Sequence, residues 1–293
     1  MKRIFLVLVT NMAVLALLSL LVFLIEAAFH VHLGEARLGG LLVFSAVFGF
    51  GGALISLTLS KWLAKRAMGV RVIVTPMSET ETWLLNAVRR LAGKVHIAMP
   101  EVGIFEAEEM NAFATGSRRN AALVAVSSGL LRSMSRAQIE AVLGHEISHV
   151  ASGDMVTMTL LQGVLNTFVI FLSRIIGGIV DRAILKNDRE SSGIGFVVST
   201  MIAQFLLGIL AGMIVSGFSR HREFRADRGG ADLAGNQSMI GALEALKRSH
   251  GLPMPPQMQA FGINSGGPNG FMRLFLSHPP IDERIAALRA GKR

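Results

Sequence analysis

Residues 191–219 have the sequence SSGIGFVVSTMIAQFLLGILAGMIVSGFS, and these 29 positions contain no charged side chain. Three further stretches share this property: 4–25, 38–60 and 155–173, which are 22, 23 and 19 residues long. A helix of about 20 apolar residues crosses the hydrocarbon layer of a bilayer. The four stretches therefore predict an α-helical membrane protein with four spans, and they exclude a freely soluble globule.

The four spans pair into two transmembrane hairpins. The first hairpin is predicted over 1–60, with spans 4–25 and 38–60, and the second over 155–219, with spans 155–180 and 191–219. Arg174 does not break the third span, because its long side chain can carry the charge to the membrane interface.

Two segments of mixed charge, 61–154 and 220–293, follow the hairpins. They are predicted to form one soluble domain, mainly α in an α+β arrangement, with a helix over 79–93 and strands over 102–105 and 121–127. The Pro- and Gly-rich stretch 251–270 is predicted as a loop or lid.

Basic residues mark the predicted orientation of the chain. Lys2 and Arg3 precede the first span, and Lys61 and Lys65 follow the second. By the positive-inside rule, both ends of the first hairpin are cytoplasmic, and an even number of crossings then places both chain termini and the soluble domain there. The first span is longer than the apolar core of a signal peptide, so it is predicted to be retained.

Composition limits which metal ligands and partners the chain can have. The chain of 293 residues has a net charge of +9, no Cys and no Tyr, and its mean hydropathy is +0.51. Without Cys, any metal site must use His and carboxylates. No cluster of aromatic and basic residues suggests a platform for bases, so no nucleic-acid partner is expected.

The sequence His145-Glu146-Ile147-Ser148-His149 matches the HExxH pattern. On a helix, residues four apart share a face, so both imidazoles can bind one Zn²⁺, with Glu146 placed to deprotonate the attacking water. Ser135 and Gln138 predict a capping box that opens this helix, which is expected to run to Ala151. The alternative is a helix with two surface histidines.

A catalytic zinc takes three protein ligands, and three residues beyond the second hairpin compete for the third position. Glu223 and Asp227 are four apart, so one carboxylate can bind the metal while the other accepts the free N–H of a ligand histidine. His221 is the rival ligand. The short distance of His149 and Glu223 from the spans predicts a metal within about 10 Å of the bilayer surface.

Two other function classes compete with an enzyme. A channel or transporter subunit would place ionisable groups inside its spans, but their interiors carry only Gln162, Asn166 and Gln204 besides Arg174. An inactive zinc-binding scaffold is the second alternative, and the intact Glu146 argues against it.

Four motifs in order carry a resemblance that covers essentially the whole chain: NAFATG (111–116), HEISH (145–149), SRHREF-AD (219–227) and SHPPIDERI (277–285). They are similar to those of the HtpX family of bacterial heat-shock membrane zinc metalloproteases, related to the eukaryotic CAAX-processing membrane protease. The resemblance implies a gluzincin-type catalytic domain facing the cytoplasm, in a multi-pass protein of the bacterial inner membrane.

The resemblance also implies roles for single residues. It assigns one zinc per chain to His145, His149 and Glu223, with Glu146 as the base, which leaves Asp227 as the carboxylate behind a ligand histidine. His278 and Arg284 are implied to support the transition state, and the absence of Tyr agrees with this, since His or Arg must then serve as the oxyanion donor.

The resemblance places the substrate along the NAFA segment, Asn111, Ala112, Phe113 and Ala114. An edge strand there would add an extended peptide through main-chain hydrogen bonds, with the Asn111 amide fixing its backbone. The alternative is an ordinary strand end with Phe113 in the core. The expected partners are the lipid bilayer and membrane or unfolded protein substrates, in stress-related quality control alongside other membrane proteases.

Overall fold

The computed structural model describes residues 35–184, 193–248 and 276–291. These fall into two compact units: a membrane unit of 35–55 with 159–215, and a sheet unit of 56–158 with 216–291. The borders lie within five residues of the predicted hairpin borders at 60, 154 and 219. The predicted span 4–25 and the predicted loop 251–270 lie outside the described residues.

The helices and strands follow one another along the chain in this order: α1 Glu35–Ala67, β1 Arg71–Val72, α2 Glu79–Lys94, β2 Glu101–Phe105, β3 Ala112–Thr115, a 3₁₀ turn Arg119–Ala121, β4 Leu123–Ser127, α3 Ser128–Ser133, α4 Arg136–Ser152, α5 Asp154–Ile179 with a π turn Val180–Ile184, α6 Ile194–Ala234, α7 Asn236–Arg248 and α8 Ile281–Arg289. The predicted helix over 79–93 and both predicted strands are confirmed, with the last strand starting two residues later than expected.

Three helices of the described residues are long and apolar enough to cross a membrane: Leu38–Ala67, Asp154–Arg182 and Ile194–Ala234. They coincide with the second, third and fourth predicted spans. The last of these helices continues beyond its apolar part into a charged end, with seven charged residues between 220 and 232. This charged end of α6 belongs to the sheet unit.

Small residues let α1 and α5 pack closely in the membrane unit. A Cβ atom on Gly49 would lie 2.4 Å from Oγ1 of Thr167, and one on Gly163 would lie 2.7 Å from the Phe50 ring. The Arg174 guanidinium stacks over the Phe44 ring, 4.3 Å from its centroid, so its charge meets an aromatic face within the helix pair.

The sheet unit is built on four strands in the order β1-β2-β4-β3. Strands β2 and β4 are parallel, while β3 runs antiparallel to β4 with Phe113 opposite Ala125. Phe113 is buried in the core, as the alternative interpretation of the NAFA segment expected. Among the strands described, β3 lies at the edge of the sheet. Its side chains are largely buried, and Phe113 packs against Phe105 with 5.6 Å between ring centroids.

Helix α4 forms as the sequence predicts. Ser135 accepts the Gln138 N–H and Gln138 accepts the Ser135 N–H, which completes the capping box. Five apolar residues of α4 are buried in the main core: Ile139, Val142, Leu143, Ile147 and Val150. The helix ends at Gly153, whose φ of +71° is in the left-handed region that glycine adopts at little cost.

Candidate metal centre

Three buried side chains converge between α4 and the charged end of α6. His145 and His149 lie one turn apart on α4 with their Nε2 atoms 3.2 Å apart. Glu223 of α6 brings Oε2 to 3.5 Å from Nε2 of His145 and Oε1 to 3.2 Å from Nε2 of His149. One ligand atom from each residue lies within 4.8 Å of the others, which is close enough for all three to bind a single ion.

Each imidazole is held from behind by a carboxylate. Nδ1 of His145 lies 3.0 Å from Oδ1 of Asp227, and Nδ1 of His149 lies 2.7 Å from Oδ2 of Asp154. The contact at His149 is a hydrogen bond that keeps a proton on Nδ1, so Nε2 is the nitrogen left to bind a cation. The sequence predicts this role for Asp227 but gives no such indication for Asp154.

The donor set fits a metal of the zinc type. Two imidazole nitrogens and one carboxylate oxygen are common ligands of catalytic zinc, and this set leaves a coordination position open. The carboxylates behind the histidines are the outer partners that such ligands ordinarily have. The residues present therefore match what a catalytic Zn²⁺ requires.

The electrostatics of the centre favour a positive charge between its side chains. Burial lowers the pKa of His145, but the carboxylates of Asp227 and Glu223 outweigh it and raise that pKa to about 10. Burial likewise lowers the pKa of His149, and the Asp154 carboxylate reverses the effect, so the net shift is upward. The centre therefore stabilises a proton or a metal cation.

The two carboxylates on α6 have pKa values that are shifted in the opposite direction. Burial raises the pKa of Glu223, but the His278 imidazole and the two ligand histidines hold it well below its usual range. Burial also raises the pKa of Asp227, and Arg284 then lowers it to about 2. Both groups are consequently anionic at neutral pH.

Glu146 has a different environment from the other carboxylates. It is buried beside the two histidines on α4, and burial raises its pKa above the ordinary value for a glutamate. The positive charge of the imidazoles acts against this rise. A carboxyl group with a raised pKa can both accept and return a proton near neutral pH, as general acid–base catalysis requires.

The centre opens into a cleft of about 350 Å³. One wall is the edge strand β3, which contributes Ala112, Phe113 and Ala114. The remaining walls combine apolar and polar side chains: Met155, Met158, Ser219, Arg222, Ser277 and His278. An extended peptide laid along β3 would thus lie next to Glu146 and the two histidines.

The structure distinguishes the other predicted site residues by their access to this cleft. His278 lines it, with Nδ1 at 2.7 Å from Oε2 of Glu223. His221, the rival ligand, is exposed and is not part of the metal-binding group. Asn111 is fully buried and does not line the cleft, and its side-chain amide has no hydrogen-bond partner among the described residues.

Arg284 does not line the cleft, and its position argues against direct contact with a substrate. Its guanidinium is fully buried and forms two hydrogen bonds with Asp227, while Nη2 lies 3.8 Å from Oε2 of Glu223. Its contacts with the centre are those with Asp227 and Glu223. Sequence reasoning could not separate it from His278, six residues away in the same motif.

Glycines allow α4 and α6 to approach closely enough to form the centre. A Cβ atom on Gly230 would lie 3.0 Å from the His145 backbone nitrogen, and one on Gly144 would lie 3.2 Å from the Gly230 Cα. A Cβ atom on Gly229 would meet the Ser148 hydroxyl at 2.2 Å. The backbone contact at Gly230 keeps Glu223 and Asp227 within reach of the two histidines.

Two histidines and a glutamate around one point, with a buried glutamate beside them, are typical of metallopeptidases. The chain belongs to peptidase family M48, whose family model matches residues 78–292. Together with the three long apolar helices, this makes it a membrane metalloprotease.

Similar proteins support this assignment. The chain is 58% identical over 290 residues to a protein of Thiobacillus denitrificans named "Protease HtpX homolog", and the match covers 99% of each chain. It is 55% identical over 298 residues to "Protease HtpX" of Alkalilimnicola ehrlichii, covering 100% of this chain and 99% of that one. The resemblance inferred from the four motifs is confirmed.

The crystal structure of Ste24p from S. mikatae shares the fold, with a TM-score of 0.62. At 22% identity the match covers 84% of this chain, which spans 58% of the length of that one. This match shows that the two proteins share a fold.

Proposed function

We propose that the chain is a zinc-dependent endopeptidase of the bacterial inner membrane, with a gluzincin-type catalytic domain on the cytoplasmic face. The observation that supports this is the placement of Glu146, His145, His149 and Glu223 in one cleft along an edge strand. His145, His149 and Glu223 would hold the zinc, one ion per chain. When bound, the metal supplies Lewis acidity that makes water a nucleophile near neutral pH.

Glu146 is the general base and acid of the proposed reaction. Its carboxylate takes a proton from the attacking water and returns it to the amine that leaves when the peptide bond breaks. Its raised pKa suits both steps, because a carboxyl group with a very low pKa would hold the proton too weakly to return it. The burial of Glu146 also limits the access of bulk water to the site.

His278 is the proposed donor to the oxyanion that develops on the substrate carbonyl. It is a donor of the required kind that lines the cleft and the chain has no Tyr. Arg284 supports the same step indirectly, since its charge lies behind Asp227 and close to Glu223. A preorganised donor of this kind stabilises the transition state more than the ground state.

Strand β3 is the proposed docking edge for the substrate. Ala112, Phe113 and Ala114 border the cleft, and the edge of a strand pairs with extended peptides irrespective of their sequence. Such pairing suits unfolded or membrane proteins as substrates, in stress-related quality control together with other membrane proteases. Asn111 would then bind the peptide only after a change in its buried conformation.

The proposal also includes four membrane spans, with both termini and the sheet unit in the cytoplasm. Reporter fusions after residues 32 and 186 should give an external signal, and a fusion after residue 100 a cytoplasmic one. The basic residues around the first hairpin support this orientation. An external signal at residue 100 would contradict it.

The decisive experiment compares zinc content and casein cleavage in the full-length protein in detergent. Wild type should carry about one zinc per chain, and Glu146→Gln should keep this zinc while losing about 10²–10⁴-fold in rate. Glu223→Ala should lose the metal, whereas the exposed His221→Ala on the same helix should retain it. Zinc-free wild type, or a Glu146→Gln variant with full activity, would contradict the proposal.

A further inference from the structure

The second histidine of the centre is oriented by a residue that lies outside the four motifs. Asp154 is the first residue of α5, and it follows the left-handed Gly153 that ends α4. This sharp turn brings the carboxylate back to His149, where Oδ2 lies 2.7 Å from Nδ1. The corresponding contact of the first histidine, His145 to Asp227, is 3.0 Å long.

Asp154 is itself held by two arginines of α6. Arg225 donates from Nη2 to Oδ1 of Asp154, and Arg222 donates from Nη1 to its backbone carbonyl at 3.3 Å. One carboxylate oxygen thus accepts from His149 and the other from Arg225. Because Asp154 is buried, its charge would be costly without these donors.

Arg222 and Arg225 lie on either side of Glu223 in the same turn of α6. This turn therefore supplies one carboxylate to the centre directly and holds a second one, Asp154, behind His149. One turn further along, Asp227 of the same helix holds His145. The orientation of both histidines consequently depends on α6.

We propose that Asp154, held by Arg222 and Arg225, is a positioning residue that fixes the ring orientation and the tautomer of His149. This inference rests on the proposed function, in which His149 binds zinc through Nε2. A proton fixed on Nδ1 by Asp154 leaves the Nε2 lone pair available to the metal. Loss of an outer partner of this kind typically costs about 10- to 100-fold in metal affinity.

The competing explanation is that Asp154 only starts helix α5. An acidic residue in the first turn of a helix stabilises it through the helix dipole, and asparagine serves nearly as well at helix starts. The two roles predict different results for Asp154→Asn. If Asp154 positions His149, the asparagine side chain must point its NH₂ group towards either His149 or Arg225, which are both donors. One hydrogen bond is then lost, and zinc affinity falls.

The test uses full-length protein carrying Glu146→Gln, which lacks the proposed base. It measures zinc affinity by competition with a chelator, and the melting temperature of the metal-free protein. Asp154→Ala should lower zinc affinity about 10- to 100-fold and Asp154→Asn by a smaller factor. Asp232→Ala, which removes an exposed aspartate from α6, is the matched control and should leave affinity unchanged.

Arg225→Met provides a second route to the same answer. It should lower zinc affinity less than Asp154→Ala, and adding it to Asp154→Ala should cause little further loss, because the two residues act through one contact. Wild-type affinity in both Asp154 variants would overturn the inference. The inference would also be overturned if only Asp154→Ala lost zinc affinity and its metal-free melting temperature fell as well. If the parent protein binds no zinc, the proposed function fails instead.

Discussion

Arg284 and Asp227 form a buried ion pair across 57 positions of the chain, with Nε of Arg284 at 2.7 Å from Oδ2 and Nη2 at 2.5 Å from Oδ1. Their exposed fractions are 0% and 1%. Oδ1 of Asp227 also lies 3.0 Å from Nδ1 of His145. Helix α8 is thus connected to a candidate metal ligand through a single carboxylate.

Arg284→Met should destabilise the protein and weaken zinc binding together. Removing one partner of a buried ion pair leaves an uncompensated charge, which typically costs about 3–5 kcal/mol. Without its partner, Asp227 also loses the orientation that holds His145. Thermal unfolding in detergent, with and without zinc, measures both effects.

Arg289→Met is the control for this experiment, five residues further along α8. Its ion pair with Glu244 is 2.8 Å long and largely exposed, at 64% and 41% of the two side chains, so its loss should cost no more than about 1 kcal/mol. An Arg284→Met variant with normal stability, normal zinc binding and a reduced kcat would instead support a direct role on the substrate.

Gly230→Ala should separate α4 from α6 and lower zinc affinity. The new methyl group would lie 3.0 Å from the Ala141 carbonyl oxygen and from the His145 nitrogen, both of which are helix backbone. Overpacking of this kind costs about 1–3 kcal/mol, which equals or exceeds the roughly 1 kcal/mol gained by replacing glycine within a helix. The measurements are melting temperature and zinc affinity.

Gly93→Ala tests whether helix propensity alone explains the result. Gly93 lies in α2 and a Cβ atom there would meet nothing within 4 Å, so this variant should keep or slightly raise the melting temperature. If Gly230→Ala behaved in the same way and bound zinc normally, the close approach of α4 and α6 would have no part in forming the centre.

Local patterns made the framework of the site predictable from the sequence. The capping box of Ser135 and Gln138 and the buried apolar face define α4, and the four-residue spacing of its histidines then fixes a shared face. Spacing also related Glu223 to Asp227. These features depend on residues close together in one helix, where geometry follows directly from sequence separation.

The remaining features depend on tertiary packing. Asp154 lies five residues from His149, which is not a helical neighbour spacing, and it reaches the imidazole only because Gly153 turns the chain. Arg284 would be expected at the surface from its residue type, and its burial results from the pairing of α8 with Asp227. Neither contact has a local sequence signal.

His278→Ala should retain zinc and lose most of its kcat. His278 lines the cleft, and removing an oxyanion donor typically costs about 10²–10³ in kcat, or about 3–4 kcal/mol. An interaction made only in the transition state lowers kcat and kcat/KM together, so KM should stay near the wild-type value. Steady-state kinetics on a fluorogenic peptide, with zinc analysis of the same samples, measures both quantities.

The contact between His278 and Glu223 supplies the competing outcome. Nδ1 of His278 lies 2.7 Å from Oε2 of Glu223, so the imidazole could instead serve to orient that carboxylate towards the metal. In that case His278→Ala would lose zinc, and its activity would recover when zinc is added in excess. His278→Gln helps to separate the two roles, because its side-chain amide can still donate to Glu223 but cannot carry a positive charge. Zinc retained in both variants, with kcat reduced in both, would assign His278 to the transition state.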